Sequence, residues 1–107
     1  MEPHPQDLLS AFLDHYSSKI ILGTMKQPMG IREISKEFGI PLSVCYRRVK
    51  NLLEMGILIE KKNGKRTKYI SKIDNFNAVL NFEKNEMFIT LNADGKTYDL
   101  EGKIVEG

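Results

Sequence analysis

Ser43, Arg47 and Lys50 stand at offsets of four and seven along the chain, the spacing that stacks side chains on one face of an α-helix. Tyr46 lies on one flank of that face and Arg48 and Asn51 on the other, and Lys62, Lys65 and Arg66 follow a short distance downstream. None of these is a nucleophile paired with a base. They are hydroxyl, amide, guanidinium and ammonium groups, which recognise anions and hydrogen-bonding edges. A guanidinium can bond guanine O6 and N7 in a bidentate fashion, and a hydroxyl can address either base type. Lysines and tyrosines suit phosphate oxygens.

The charge is segregated accordingly. Residues 41–70 hold eight basic and two acidic side chains, a local net charge of +6, although the chain of 107 residues carries only +2 overall. The flanking stretches are −1 and −3. A basic segment set between mildly acidic ones is the electrostatic footprint of a polyanion-binding face.

The elements that must position these groups can be read from periodicity. Leu8, Leu9, Phe12, Leu13, Tyr16, Ile20, Ile21, Leu22 and Met25 recur at helical spacing. The polar run Asp14–Ser18 divides them into two helices, about 7–15 and 17–26, with Ser17 or Ser18 as the cap of the second. Their wide apolar face suggests burial on two sides, against the domain and a partner chain. The first five residues, with two prolines, read as frayed. A short helix over 31–38 buries Ile31, Ile34 and Phe38. Gly39 supplies the positive φ of a sharp turn, and Pro41 suits the first turn of the next helix. That helix, about 41–55, turns Leu42, Cys45, Val49, Leu52 and Leu53 inward. A hairpin follows over about 57–73, closed by Asn63-Gly64, a dipeptide that favours a type I′ turn. Alternating residues from Phe76 onward, with turns at Lys84-Asn85 and Asp94-Gly95, read as a small antiparallel meander.

The expected fold is therefore α+β: a winged helix-turn-helix over residues 1–73, with a C-terminal β extension over 74–107 packing on the domain or on a dimer partner. In helix-turn-helix docking the N-terminal half of the second helix sits deepest in the major groove. Arg47 and Ser43 are then placed to read bases. Tyr46 and Lys50 suit phosphate, with Arg48 at the flank. Lys62, Lys65 and Arg66 would engage the backbone or the minor groove from the wing. Arg32 and Lys36, on the preceding helix, are further backbone candidates.

Other chemistries lack their residues. Cys45 is the sole cysteine, so neither an internal disulfide nor a cysteine cluster is possible. His4 and His15 have no partners at ligand spacing, and no metal or cofactor is expected. There is no Gly-rich phosphate loop or nucleophile motif, so no enzyme is expected. No apolar run is long enough to span a bilayer and no signal peptide is visible. A cytoplasmic location is the corresponding expectation.

Two motifs carry a resemblance. Pro28-Met29-Gly30-Ile31-Arg32-Glu33-Ile34-Ser35 and Gly39-Ile40-Pro41-Leu42-Ser43-Val44-Cys45-Tyr46-Arg47-Arg48-Val49-Lys50-Asn51-Leu52 resemble those of ArsR-like winged helix-turn-helix regulators, in particular small archaeal ones. Glu54-Met55-Gly56-Ile57-Leu58 resembles the usual passage from helix to wing. The resemblance spans roughly residues 8–92. It implies a homodimeric, sequence-specific regulator that binds double-stranded DNA. The metal-sensing clusters of many such proteins have no counterpart here. The competing expectation is a winged-helix module that binds protein in a transcription assembly. Phe82, Phe88 and Tyr98 would then form the contact surface. Otherwise they cover the core or pair with a second subunit.

Overall fold

The computed structural model describes residues 4–106. Four helices precede five strands: α1 Pro5–Leu13, α2 His15–Lys26, α3 Ile31–Phe38, α4 Leu42–Glu54, β1 Leu58–Asn63, β2 Arg66–Ser71, β3 Ile73–Asn81, β4 Glu86–Ala93 and β5 Lys96–Gly102. The strands form a two-stranded sheet, β1-β2, and a separate antiparallel sheet in the order β3-β4-β5. This is the expected α+β winged-helix arrangement with a β extension.

The helix breaks follow capping chemistry. Of the five residues read as frayed, residues 1–3 lie outside the described region, and Pro5 opens α1 instead. At that position its missing N–H leaves nothing unsatisfied. The cap of α2 is Asp14, not a serine: its carboxylate accepts the Ser17 N–H at 2.9 Å. Aspartate caps as well as serine does. That choice leaves Ser17 buried within α2, and the Ser18 hydroxyl donates back to the Phe12 carbonyl at 2.7 Å.

α3 has a glycine at its N-cap, so half of a capping box forms. Glu33 accepts the Gly30 N–H at 3.1 Å, and Gly30 has no side chain to reciprocate. The turn between α3 and α4 rests on Gly39, at φ 64° and ψ 35°. The Ser35 carbonyl accepts the Ile40 N–H, and the Ser35 hydroxyl returns a bond to the Ile40 carbonyl at 2.6 Å. Pro41 is the N-cap of α4 rather than a residue of its first turn.

The wing turn differs from expectation. Asn63 pairs with Arg66, so Gly64-Lys65 is the two-residue loop, and of these only Gly64 has positive φ. A type I′ turn needs two positive φ values. The register is fixed from the other end of the hairpin. There Leu58 and Ser71 are buried opposite each other, and Tyr69 exchanges two backbone hydrogen bonds with Met29. The type I′ pattern occurs instead at Asp94 (φ 51°) and Gly95 (φ 78°), between the paired residues Ala93 and Lys96.

One apolar core joins helices and extension. Leu8, Ile20, Ile34, Cys45, Val49 and Leu52 pack in it with Ile57, Leu58, Ile73, Met87, Ile89 and Leu91. Phe12 of α1 stacks on Phe76 of β3 with ring centroids 3.9 Å apart. α1 thus covers part of one face of the extension. Phe82, Phe88 and Tyr98 do not cover the core; they are 75%, 40% and 40% exposed. Alternation in the sequence identifies the faces of a sheet but not whether a layer lies over each one. Leu13, Leu22 and Met25, on the wide apolar face of the first two helices, are also exposed. Among the described residues no helix is long and apolar enough to cross a membrane.

Candidate nucleic-acid interface

α4 presents its outer face because its inner face is anchored. Cys45, Val49 and Leu52 are buried, whereas Leu42 and Leu53 sit half-buried at the margins. The Cys45 thiol lies 3.6 Å from the Ile31 carbonyl of α3, and burial pushes its pKa up. These inward contacts leave Ser43, Tyr46, Arg47, Lys50 and Asn51 exposed on the opposite side.

Arg48 is placed differently. Its Nε lies 2.9 Å from Asp14 Oδ2, and its Nη2 lies 3.4 Å from Asp14 Oδ1. The guanidinium therefore joins α4 to the cap of α2. Burial raises the pKa of Asp14, but the Ser17 N–H and the Arg48 charge outweigh that effect and hold it below the ordinary value. Of the eight candidate contact residues, Arg48 alone has an acidic partner within salt-bridge distance among the described residues.

The wing extends from the same core. Lys62 lies on β1, Lys65 in the loop and Arg66 at the start of β2, all exposed. Antiparallel pairing sets Asn63 beside Arg66 and Lys61 beside Lys68, so these residues share one face of the ribbon. Lys62 and Thr67 lie on the other face. Lys68 reaches back to Glu33 of α3 at 3.5 Å. The Gly30 N–H and this lysine keep the Glu33 pKa low. The Met29–Tyr69 bridge ties the wing to the start of the helix-turn-helix. Wing and α4 are thereby held to one frame, with Arg47, Lys50, Lys61, Lys62, Lys65 and Arg66 exposed. Arg32 and Lys36 of α3 are exposed as well.

Sequence reasoning missed the two ion pairs and the backbone bridge. Asp14 had a local signal, a capping residue three positions before Ser17. Its pairing with Arg48, 34 residues away, had none. Among the described residues no group of three or more His, Cys, Asp or Glu side chains could hold a metal ion.

Residues 26–59 match the model of a family described as winged helix-turn-helix DNA-binding. The stretch runs from the end of α2 through α3 and α4 into β1. Among solved structures, the crystal structure of NolR from Sinorhizobium fredii is similar, with a TM-score of 0.57 at 17% sequence identity. The similarity covers 61% of this chain and 65% of that one, just under two thirds of NolR's length. It is a likeness of fold. No curated protein matches the sequence.

Proposed function

We propose that this chain is a sequence-specific regulator of transcription, of the ArsR-like kind, that binds double-stranded DNA as a homodimer in the cytoplasm. The supporting observation is the exposed cationic set on α4 and the wing, with the wing tied by the Met29–Tyr69 bridge to the segment that leads into α3. The match of residues 26–59 to a DNA-binding family supports the same reading.

In this reading α4 enters the major groove by its N-terminal half, with Arg47 and Ser43 toward base edges and Tyr46 and Lys50 toward phosphates. Lys62, Lys65 and Arg66 take the neighbouring backbone or minor groove. Residues 1–73 carry these contacts and residues 74–107 form the extension. Arg48 remains on Asp14 and fixes the angle at which α4 is presented. It is a DNA contact only where that pair opens. In a homodimer two such helices would address half-sites about 34 Å apart.

The test separates reading from holding. A preferred duplex is selected from a random pool, and variants are titrated against it and against single-base changes. Arg47→Ala should lose preference at one base position by about 1–3 kcal/mol. Simultaneous Lys65→Ala and Arg66→Ala should weaken all duplexes alike and lower the salt slope by about 2, at roughly 0.9 per phosphate contact. Parent-like affinity and discrimination in both variants would refute the assignment of faces.

A further inference from the structure

The two edges of the β3-β4-β5 sheet are built differently. β5 carries Lys96, Asp99 and Glu101 along its length. Its end is also covered: Gly102 packs on the Pro5 ring, where an added Cβ would stand 3.1 Å from Pro5 Cγ. Gln6 donates to the Lys103 carbonyl at 2.8 Å just beyond. Charge and cover of this kind keep an edge from pairing with another chain.

β3 has neither. From Asn75 to Phe82 the sequence is NFNAVLNF, without a charge, proline or glycine. A bulge falls only at its beginning, between Ile73 and Asn75. Among the described residues no strand lies on its outer side. Apolar side chains stand open on both faces, with Val79 62% exposed on one, and Leu80 37% exposed and Ala78 also exposed on the other. An uncharged, regular edge of this length is a template for strand addition.

The segment is also complementary to itself. If two copies run antiparallel about a two-fold axis at Ala78, Ala78 faces its own copy. Phe76 then faces Leu80, Asn77 faces Val79 and Asn75 faces Asn81. In the first sheet face this places Phe76, Ala78 and Leu80 of both copies side by side, continuing the row that Met87, Ile89 and Leu91 begin. The half-buried Phe76 and the exposed Leu80 would cover one another across the axis, where directly opposite apolar pairs stabilise a sheet. Slipping the pairing by one residue would set Phe76 and Leu80 against asparagine or valine.

We infer that β3 is the subunit interface: two copies of this chain pair antiparallel along residues 75–81, centred on Ala78, to make one six-stranded sheet. The contact is isologous and therefore closes at two chains. The charged and covered β5 edge stops the assembly from growing. This assigns a surface to the homodimer of the preceding section and rests on that part of it. It does not depend on DNA binding.

Sedimentation equilibrium of the DNA-free chain at micromolar concentration is the first test. The parent should weigh twice the 12.3 kDa of one chain. Ala78→Lys sets two ammonium groups face to face on the axis and should yield the single-chain mass. Mixing Ala78→Lys with Ala78→Glu should restore the double mass, which a misfolded variant could not do. Independently, Ala78→Cys should form a disulfide-linked dimer under oxidised glutathione, since opposed Cα atoms at about 4.5–5.5 Å lie within disulfide range. Glu101→Cys on the other edge should not. A parent of single-chain mass, an Ala78→Lys variant that stays dimeric, or equal crosslinking at both edges would each overturn the assignment. Binding of Ala78→Lys to random-sequence duplex, measured separately, shows whether the DNA reading survives such an outcome.

Discussion

Removing Asp14 should loosen both the second helix and the seating of the fourth. Asp14→Ala takes away a cap that accepts the Ser17 N–H at 2.9 Å and an ion pair with Arg48 at 2.9 Å. Loss of an N-cap costs about 1 kcal/mol, within roughly 0.5–2. The two side chains are 30% and 29% exposed, so solvent screens the pair, and its geometry merits about the upper end of the 0.2–1 kcal/mol measured for surface pairs. The sum is about 2 kcal/mol, or roughly 8–16 °C in Tm at about 4–8 °C per kcal/mol. Asp14→Asn keeps a capping oxygen and loses only the charge, so it should cost about half as much.

The ionic part also has a pH signature. The folded pKa of Asp14 lies below its ordinary 3.8. Its stabilisation is therefore fully present above the unfolded value and is lost as pH falls through the folded one. Thermal melts of parent and Asp14→Asn should differ at neutral pH and converge in acid below 3.8. If Asp14→Ala melted within a degree of the parent, or Asp14→Asn were as damaging as Asp14→Ala, the division between cap and charge would be wrong.

Two further outcomes follow from local geometry. Gly39→Ala puts a Cβ on a residue at φ 64° with nothing within 4 Å of it, so the penalty is backbone strain alone. About 1 kcal/mol is expected in denaturant melts, and an unchanged midpoint would mean that the turn relaxes freely. Cys45 is fully buried with its pKa raised by burial, so it should resist a thiol reagent at neutral pH until the chain unfolds. Rapid labelling of the native protein would contradict its place in the core.

What the sequence revealed was mostly short-range. The outer face of α4 follows from helical spacing, because Cys45, Val49 and Leu52 fall on one side and must be buried together. The Gly39 turn and the basic wing follow from residue type at one or two positions. Contacts between distant segments left no such trace. Nothing near Arg48 marks Asp14 as its partner, and nothing near Tyr69 marks Met29. The wing loop was displaced by one residue because its register is set by burial at Leu58 and Ser71, not by the preference of Asn63-Gly64 for a turn. In the extension the alternation of Phe76, Ala78 and Leu80 was visible. That α1 covers Phe76 while Leu80 stays open depends on a helix far away in the chain.

The central claim, that α4 and the wing form a phosphate-contacting DNA surface, is tested most directly by fluorescence anisotropy. The pure chain is titrated into a labelled random-sequence duplex at about 50 and about 200 mM salt. With Lys50, Lys61, Lys62, Lys65 and Arg66 exposed on the two elements and Arg47 assigned to base edges, phosphate contacts from these lysines and Arg66, at a slope of roughly 0.9 each, should lower the affinity about 500-fold between these conditions. Absence of binding at the lower salt, or affinity indifferent to salt, would contradict it.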